Sequence, residues 1–474
     1  MRSLALIVLA LPLAIGAEDW NRFRGPNGAG VSPDRGFPTE FGVGKNLVWR
    51  TPVRPGKSSP VLTAKQIFLT SYADEKLYTE CFDRATGARL WERSVDRRHH
   101  DFANLLNHPA AISPVTDGEN VYSFFKDFGL VSYTASGKVR WQTPLGPFVT
   151  TMGLGAAPVI AGSNVVIVAD QLQDSFIAAF DRNNGEMRWK TAREEAESWG
   201  SPLVFQPKGA AAPTIITVSR GIYGAHAPDS GKRIATLRGL ATTIVASPIL
   251  DGDTLYAFGY GGDTPAPFAR TLARLDKNKD GKLTEDEYGD DAFVRGIARF
   301  NGNQDMVVTE DEWDAKQKVV GGPTCLFALK LESSGEAREL WRYDKGFNGV
   351  IPSPLLYDGI LYVVKNGGIL ASFDAATGKV IKTGRLEGAL GGYSSSPVAA
   401  EGHIYLASEE GKVAVLRAGG EWEVLRVNDL DEPLFATPAL SEGQIYLRTG
   451  SALYRFGTAV TDPAKSPRGR ARNP

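Results

Sequence analysis

Between residues 351 and 382, short apolar runs alternate with turn residues. Leu355 and Leu356 end at Asp358-Gly359, and the run 360–364 ends at Asn366-Gly367-Gly368. A third run, 369–373, ends in the turn 374–378, and a fourth begins at Lys379. Runs of this length, rich in Val, Ile, Leu, Tyr and Phe and bounded by Gly, Asp and Asn, are strands joined by hairpins. The pattern predicts a four-stranded antiparallel meander of about 40 residues, the length of one propeller blade.

The unit recurs along the chain. A small residue followed by proline marks the entry to its first strand: Ser59-Pro60, Ser113-Pro114, Ala157-Pro158, Ser201-Pro202, Ser247-Pro248, Ser353-Pro354, Ser396-Pro397 and Thr437-Pro438. The steps between prolines are 54, 44, 44, 46, 106, 43 and 41, so one step carries an insertion of about 60 residues rather than a missing blade. A second marker is Gly followed four residues later by Trp, at Gly87/Trp91, Gly137/Trp141 and Gly185/Trp189; blade 4 has Ala235 at the Trp position. One small sheet cannot bury both its faces, so eight markers in near-constant phase predict an all-β, eight-bladed β-propeller of four-stranded antiparallel blades over residues 46–456. Residues 46–50 read as a fourth strand with no first three, and residues 437–456 supply three strands with no fourth. Joining them completes blade 8 and removes the exposed sheet edge.

Composition adjusts this picture in four places. The chain has 474 residues, too many for one ordinary core but not for a core divided among blades. A net charge of −1 gives no electrostatic case for nucleic acid. The two cysteines, Cys81 and Cys325, fall at similar points of blades 1 and 5, on opposite sides of an eight-blade ring, and are expected as separate free thiols. Residues 1–17 carry Arg2, an apolar run and Gly16-Ala17, which reads as a secretory signal peptide with no cysteine for lipidation after it. The expectation is a monomer, periplasmic or secreted, with no transmembrane segment after cleavage. Residues 18–45, beginning W-N-R-F-R-G-P at Trp20, read as a lid over one face, and residues 457–474 as a disordered tail.

The insertion in blade 5, residues 260–320, holds the sharpest chemistry. From Asp276 the chain reads D-K-N-K-D-G-K-L-T-E-D-E. Side-chain oxygens fall at positions 1, 3 and 5 (Asp276, Asn278, Asp280), and Gly281 at 6 permits the sharp turn. Lys282 at 7 offers its carbonyl, Thr284 at 9 acts through water, and Glu287 at 12 is bidentate. That is the EF-hand spacing, which wraps six to eight oxygens around one Ca²⁺. A second copy starts at Asn301 and keeps Asn303, Asp305, Thr309 and Glu312, but has Met306 where glycine belongs. One lost charge and a strained turn predict a degenerate loop that binds weakly or not at all. Segments 268–274 and 292–300 read as flanking helices. The insertion follows a second strand, which places it on the face of the fourth-to-first connections.

Other chemistry is weaker. His99, His100 and His108 lie beside Asp101 and could hold a transition metal, although adjacent histidines on a loop point apart. Lys126, Asp170, Arg220, Lys365 and Glu409 each follow a second strand, so they could meet at the axial funnel, as a ligand site or as a solvated channel. The sequence contains no GxSxG nucleophile, zinc-protease helix or phosphate loop.

The segments F-D-R-A-T-G-A-R-L-W at 82–91, F-D-R-N-N-G-E-M-R-W at 180–189 and F-D-A-A-T-G-K at 373–379 resemble the tryptophan-docking repeat of the quinoprotein-like (PQQ-like) eight-bladed propeller family. The W-N-R-F-R-G-P start looks like that of bacterial exported PQQ-like repeat proteins. The resemblance implies that the Trp of one blade packs on a peptide plane of the next, a role shared by members with no cofactor. Catalytic members carry adjacent cysteines at the quinone, and Glu, Asn and Asp around a central calcium, none of which can be placed on this sequence. PQQ is therefore not expected. The reading is an exported, calcium-binding propeller that acts as a binding or assembly scaffold for a protein or cell-envelope partner. The alternative is a PQQ-dependent dehydrogenase or another periplasmic enzyme using the funnel.

Overall fold

The structure, a computed structural model, describes residues 20–100, 107–150, 152–210, 212–241, 243–259, 261, 267–300, 303, 305–314, 324–345 and 351–458. The expected signal segment 1–17, Asp101, Asn301, parts of the insertion and all of the tail beyond 458 lie outside the described residues.

The strands assemble into eight four-stranded antiparallel sheets, seven of them built from four strands consecutive in sequence. In blade 3 these are Val159–Ala161, Asn164–Ala169, Phe176–Asp181 and Met187–Ala192. The two middle strands are buried along their whole length because neighbouring blades cover both faces. The fourth strand alternates, with Trp189 buried between exposed neighbours, because only one of its faces meets the next blade. The short first strands of successive blades touch around the axis. Blade 8 is closed by both ends of the chain, since Leu47–Pro52 pairs antiparallel with Ala452–Phe456.

The Gly and Trp markers turn out to belong to different contacts. Trp91 does not pack on Gly87 of its own blade. It lies on Gly137 of the next blade and donates Nε1–H to Ala135 O at 2.8 Å. Trp49, Trp141, Trp189 and Trp341 repeat this on Gly87, Gly185, Gly231 and Gly378. A Cβ at any of these five glycines would fall 2.3–2.7 Å from the indole, and each glycine has positive φ. The site therefore needs glycine for both space and backbone. Ala235 does stand in the Trp register of blade 4, and there Ile234 reaches over Gly335 instead.

Cys81 and Cys325 are buried and free, in blades 1 and 5. No helix among the described residues is long and apolar enough to cross a membrane.

Candidate functional site

The small-Pro marker builds the axis. The N–H before each proline donates to the hydroxyl of the equivalent residue in the next blade. Ser59 donates to Ser113, Ala157 to Ser201, Ser201 to Ser247, Ser247 to Ser353, Ser353 to Ser396, Ser396 to Thr437 and Thr437 to Ser59, all at 2.9–3.0 Å. The circle breaks only between blades 2 and 3, where Ala157 has no hydroxyl to offer Ser113.

Above this circle lies an axial cavity of about 480 Å³. Extended chain turns alternate residues the same way, so the residue two before each marker also faces it. These are Lys57, Ala111, Gly155, Trp199, Val245, Ile351, Ser394 and Phe435, one per blade, joined by Asn107, Met152, Glu197, Arg220 and Thr243. Trp199 leans over blade 3. Its Nε1 donates to Gly153 O at 2.7 Å, and a Cβ on Gly155 would be 2.9 Å from its ring. Lys57 Nζ sits 4.0 Å from the centre of the Phe435 ring. Burial lowers the basicity of Lys57 and of Arg220, opposed by the charges of Glu409 and Glu197 respectively.

Phe23 forms the floor of the cavity. The segment that carries it crosses the far end of the axis. Trp20 O accepts from Leu62 N–H in blade 1, Asn21 O from Thr116 N–H in blade 2, and Gly30 O from Ala399 N–H in blade 7. The guanidinium groups of Arg22 and Arg24 are buried and donate to the carbonyls of Pro202 at 2.8 Å and Pro354 at 2.7 Å. Burial brings the Arg24 pKa down to about 9. The W-N-R-F-R start is thus the plug of the axial channel.

Of the five funnel candidates, the structure brings only Arg220 to the cavity wall. Lys126 is buried against Asp127, 2.6 Å away. Asp170 is locked into blade 4 by Arg193 Nε at 2.7 Å and Ser219 Oγ at 2.5 Å, and burial raises its carboxyl. Glu409 accepts from Ser394 at the rim, and Lys365 lies away from the cavity lining. The histidines diverge. His99 lies tilted beside Phe148, with ring centres 6.2 Å apart, while His100 approaches Glu75 at 3.6 Å. His108 sits edge-on to Tyr72 and accepts the Ala110 N–H on Nδ1; burial, helped by Arg448 and Lys57, lowers it to about 4. Lys57, Glu197, Trp199 and Phe435 were missed from sequence. Their signal was there, two or four residues before a marker.

The insertion leaves blade 5 after Thr254–Gly259 and returns at Cys325–Leu331, with Gly259 opposite Cys325. It contains helices α1 (Phe268–Leu275), α2 (Glu285–Tyr288) and α3 (Ala292–Phe300). Phe268, Leu283, Tyr288, Val294, Ile297, Val308 and Trp313 form its own small core. Leu283 and Val308 pair by two backbone hydrogen bonds of 3.0 and 2.9 Å, which ties the two acidic loops together. In the first loop Gly281 has φ +80°. Asp276 accepts the N–H groups of Lys279 (2.7 Å) and Gly281 (3.0 Å), and Asn278 Nδ2 meets Asp280 Oδ2 at 3.1 Å. Glu287 closes the loop from its far end, accepting from Thr284 and Lys277 N–H at 2.9 and 3.0 Å, and the Thr284 backbone bond heads the contacts that lower its carboxyl. Lys282 N–H caps Asp280 at 2.9 Å. The second loop repeats the plan through Asn303, Asp305 and Glu312, but Met306 is held at φ +64°. Among the described residues no group of three or more His, Cys, Asp or Glu side chains is gathered on one point.

A family model described as outer membrane protein assembly factor BamB matches residues 42–204, 78–294 and 319–420. No curated protein matches the sequence. Among solved structures, BamB from Moraxella catarrhalis superposes with a TM-score of 0.57 at 13% identity, covering 86% of this chain and 99% of that one. A europium-containing methanol dehydrogenase gives 0.58 at 10% identity, covering 93% and 98%. The computationally designed Ika8 protein gives 0.55 at 11%, covering 86% and 97%. At these identities the solved structures speak for the fold, and it is the family model, matched over most of the propeller, that identifies the chain as a member of the BamB-type family of PQQ-like repeat propellers.

Proposed function

We propose that this chain is an exported scaffold of the cell envelope, periplasmic or secreted, whose funnel face carries a calcium-binding EF-hand insert and holds a protein or envelope partner. The observation that carries the calcium reading is the first loop. Gly281 at positive φ gives it the sharp turn of such loops, Asn278 meets Asp280, Asp276 accepts the Gly281 N–H, and Glu287 reaches back from position 12 to the Lys277 N–H. Asp276, Asn278, Asp280, the Lys282 carbonyl, Thr284 through water and Glu287 would hold the ion. Three carboxylates opposed by Lys277, Lys279 and Lys282 favour a weak, extracellular-type site with Kd on the order of 10⁻⁴–10⁻³ M. Metal would order the insert, because binding stabilises only the folded loop. The second loop, strained at Met306, contributes its bridge to the first and little affinity. The test is a calorimetric Ca²⁺ titration of the full chain. One site is expected, lost in Glu287→Gln while the unfolding midpoint of the ring stays within a degree or two. Stoichiometric Ca²⁺ in that variant would move the site elsewhere.

Membership of a family of assembly-factor propellers favours the scaffold reading. We infer further that PQQ is not the cofactor. The only cysteines sit buried in opposite blades and can form no adjacent pair beside the funnel. Stoichiometric PQQ uptake with dye-linked turnover would reverse that inference.

A further inference from the structure

We propose that the axial cavity is a binding site for a neutral polyhydroxylated ligand, a mono- to trisaccharide. This names the ligand of the binding face that the scaffold reading assumes, and rests on that reading only for the choice of face. Three features of the wall carry it.

The first is hydroxyl chemistry. Each Ser or Thr of the axial circle uses its oxygen to accept a backbone N–H, and a hydroxyl also owns one donor proton. These residues line the cavity, so a set of rotatable O–H groups converges on its base. A ligand dense in oxygen acceptors matches them, and hydroxyl rotors adapt to several stereochemistries.

The second is a flat platform. Trp199 is half-buried and held along its pyrrole edge, by its bond to Gly153 O and by the close approach of Gly155. A ring already immobilised loses little entropy on binding, and its electron-rich face attracts the C–H face of a pyranose. The adjacent wall is unusually small, with Ala111, Gly155 and Ala157 in blades 2 and 3, which leaves room beside the indole.

The third is charge. Among the described residues, the two cations of the wall each lie within the field of a carboxylate, Lys57 of Glu409 and Arg220 of Glu197. A charged ligand would meet one sign of charge opposed by the other, whereas a neutral one can use both as hydrogen-bonding ends. The volume, about 480 Å³, suits a small saccharide, and Phe23 lines it at the end that the plug crosses.

The experiment uses the full chain with saturation-transfer NMR, followed by calorimetry. The probes are neutral mono- to trisaccharides (glucose, N-acetylglucosamine, maltose, cellobiose and chitotriose), with glucuronate and glucosamine as charged counterparts of one ring. Each is run with Ca²⁺ and with chelator. The expected result is one-to-one binding of at least one neutral sugar at millimolar concentration or tighter. Both charged counterparts should bind more weakly. Trp199→Ala should weaken binding about tenfold, the scale of one aromatic contact, and Trp199→Phe should restore part of it. Phe435→Ala serves as a second wall variant should Trp199→Ala fold poorly. Binding of glucuronate in preference to the neutral sugars, affinity unchanged by both wall variants, or no saccharide binding at all would each overturn the proposal. Loss of sugar binding only in chelator would tie the cavity to the insert, whereas sugar binding without any Ca²⁺ uptake would sink the calcium reading and leave this one standing.

Discussion

The ring and its insert use side-chain hydrogen bonds in opposite ways. In the ring, the hydroxyl of one blade satisfies the backbone of another, across sequence separations that reach 106 and 378 residues. In the insert, Asp276 and Asp280 satisfy N–H groups two to five residues away, and the small core is closed on itself. Non-local contacts make each blade depend on its neighbours, so the ring should unfold as one unit. Local contacts let the insert form or melt without consulting the ring.

The largest test of that contrast is a pair of deletions. Removing residues 20–52 takes away the closing strand and the plug, and calorimetry is expected to show no cooperative transition. Removing residues 268–314 should leave the ring's transition within a few degrees of the parent. Equal damage from both would deny the insert its independence.

Next in size is Gly185→Ala. Its Cβ would lie 2.5 Å from Trp141 at φ +74°. A loss of about 3 kcal/mol is expected in denaturant titration, whereas Gly289→Ala, at φ +48° in the insert with open space around it, should leave the ring's midpoint alone.

A smaller effect concerns the seam and is visible through pH. Burial would raise the Glu432 carboxyl, but hydrogen bonds from Ser451, Thr449, Arg50 and Tyr454 hold it at about 2, below its ordinary 4.5. Arg50 belongs to the closing strand, so this carboxylate clasps the two chain ends together. A depressed folded-state pKa stabilises fully above about 4.5, and the contribution drains away as pH falls toward 2. Glu432→Gln should therefore cost about 1 kcal/mol at pH 7 and nothing near pH 2. A gap of the same size at both would assign the loss to packing.

The smallest change should be a gain. Ala157→Ser supplies the hydroxyl missing from the axial circle and is expected to raise stability by about 0.5–1 kcal/mol. No gain, with a structure showing the new hydroxyl turned away, would mean that the backbone at blade 3 has drifted from the register of the others.

The repeat was legible because it is written in residues with strong local meaning. Proline cannot donate to a ladder, and glycine alone tolerates an indole against its Cα. Both recur in phase, so blade number, insertion and the closing strand could be read directly. The cavity was harder. Lys57, Trp199 and Phe435 share a position in the repeat but no chemistry, so nothing in the composition marks them as one wall. Asp170 and Lys126 misled for the converse reason. They look like funnel residues by position, yet Arg193 and Asp127 pull them into the blades, partners a linear reading cannot supply.

The way blade 8 closes also has a mechanical consequence. Leu47 lies opposite Phe456, so the chain departs from both partners at the same end of the pair. Tension applied between the two chain ends would open that pair as a zipper, one bond after another, rather than shear it along its length. Such a geometry yields at low force unless something upstream takes the load. The plug does so. Before the zipper feels any pull, it must be torn from blades 1, 2, 4, 6 and 7, where Trp20, Asn21, Arg22, Arg24 and Gly30 are each bonded. The crossing of the axis thus acts as a strain relief for the weakest seam of the ring.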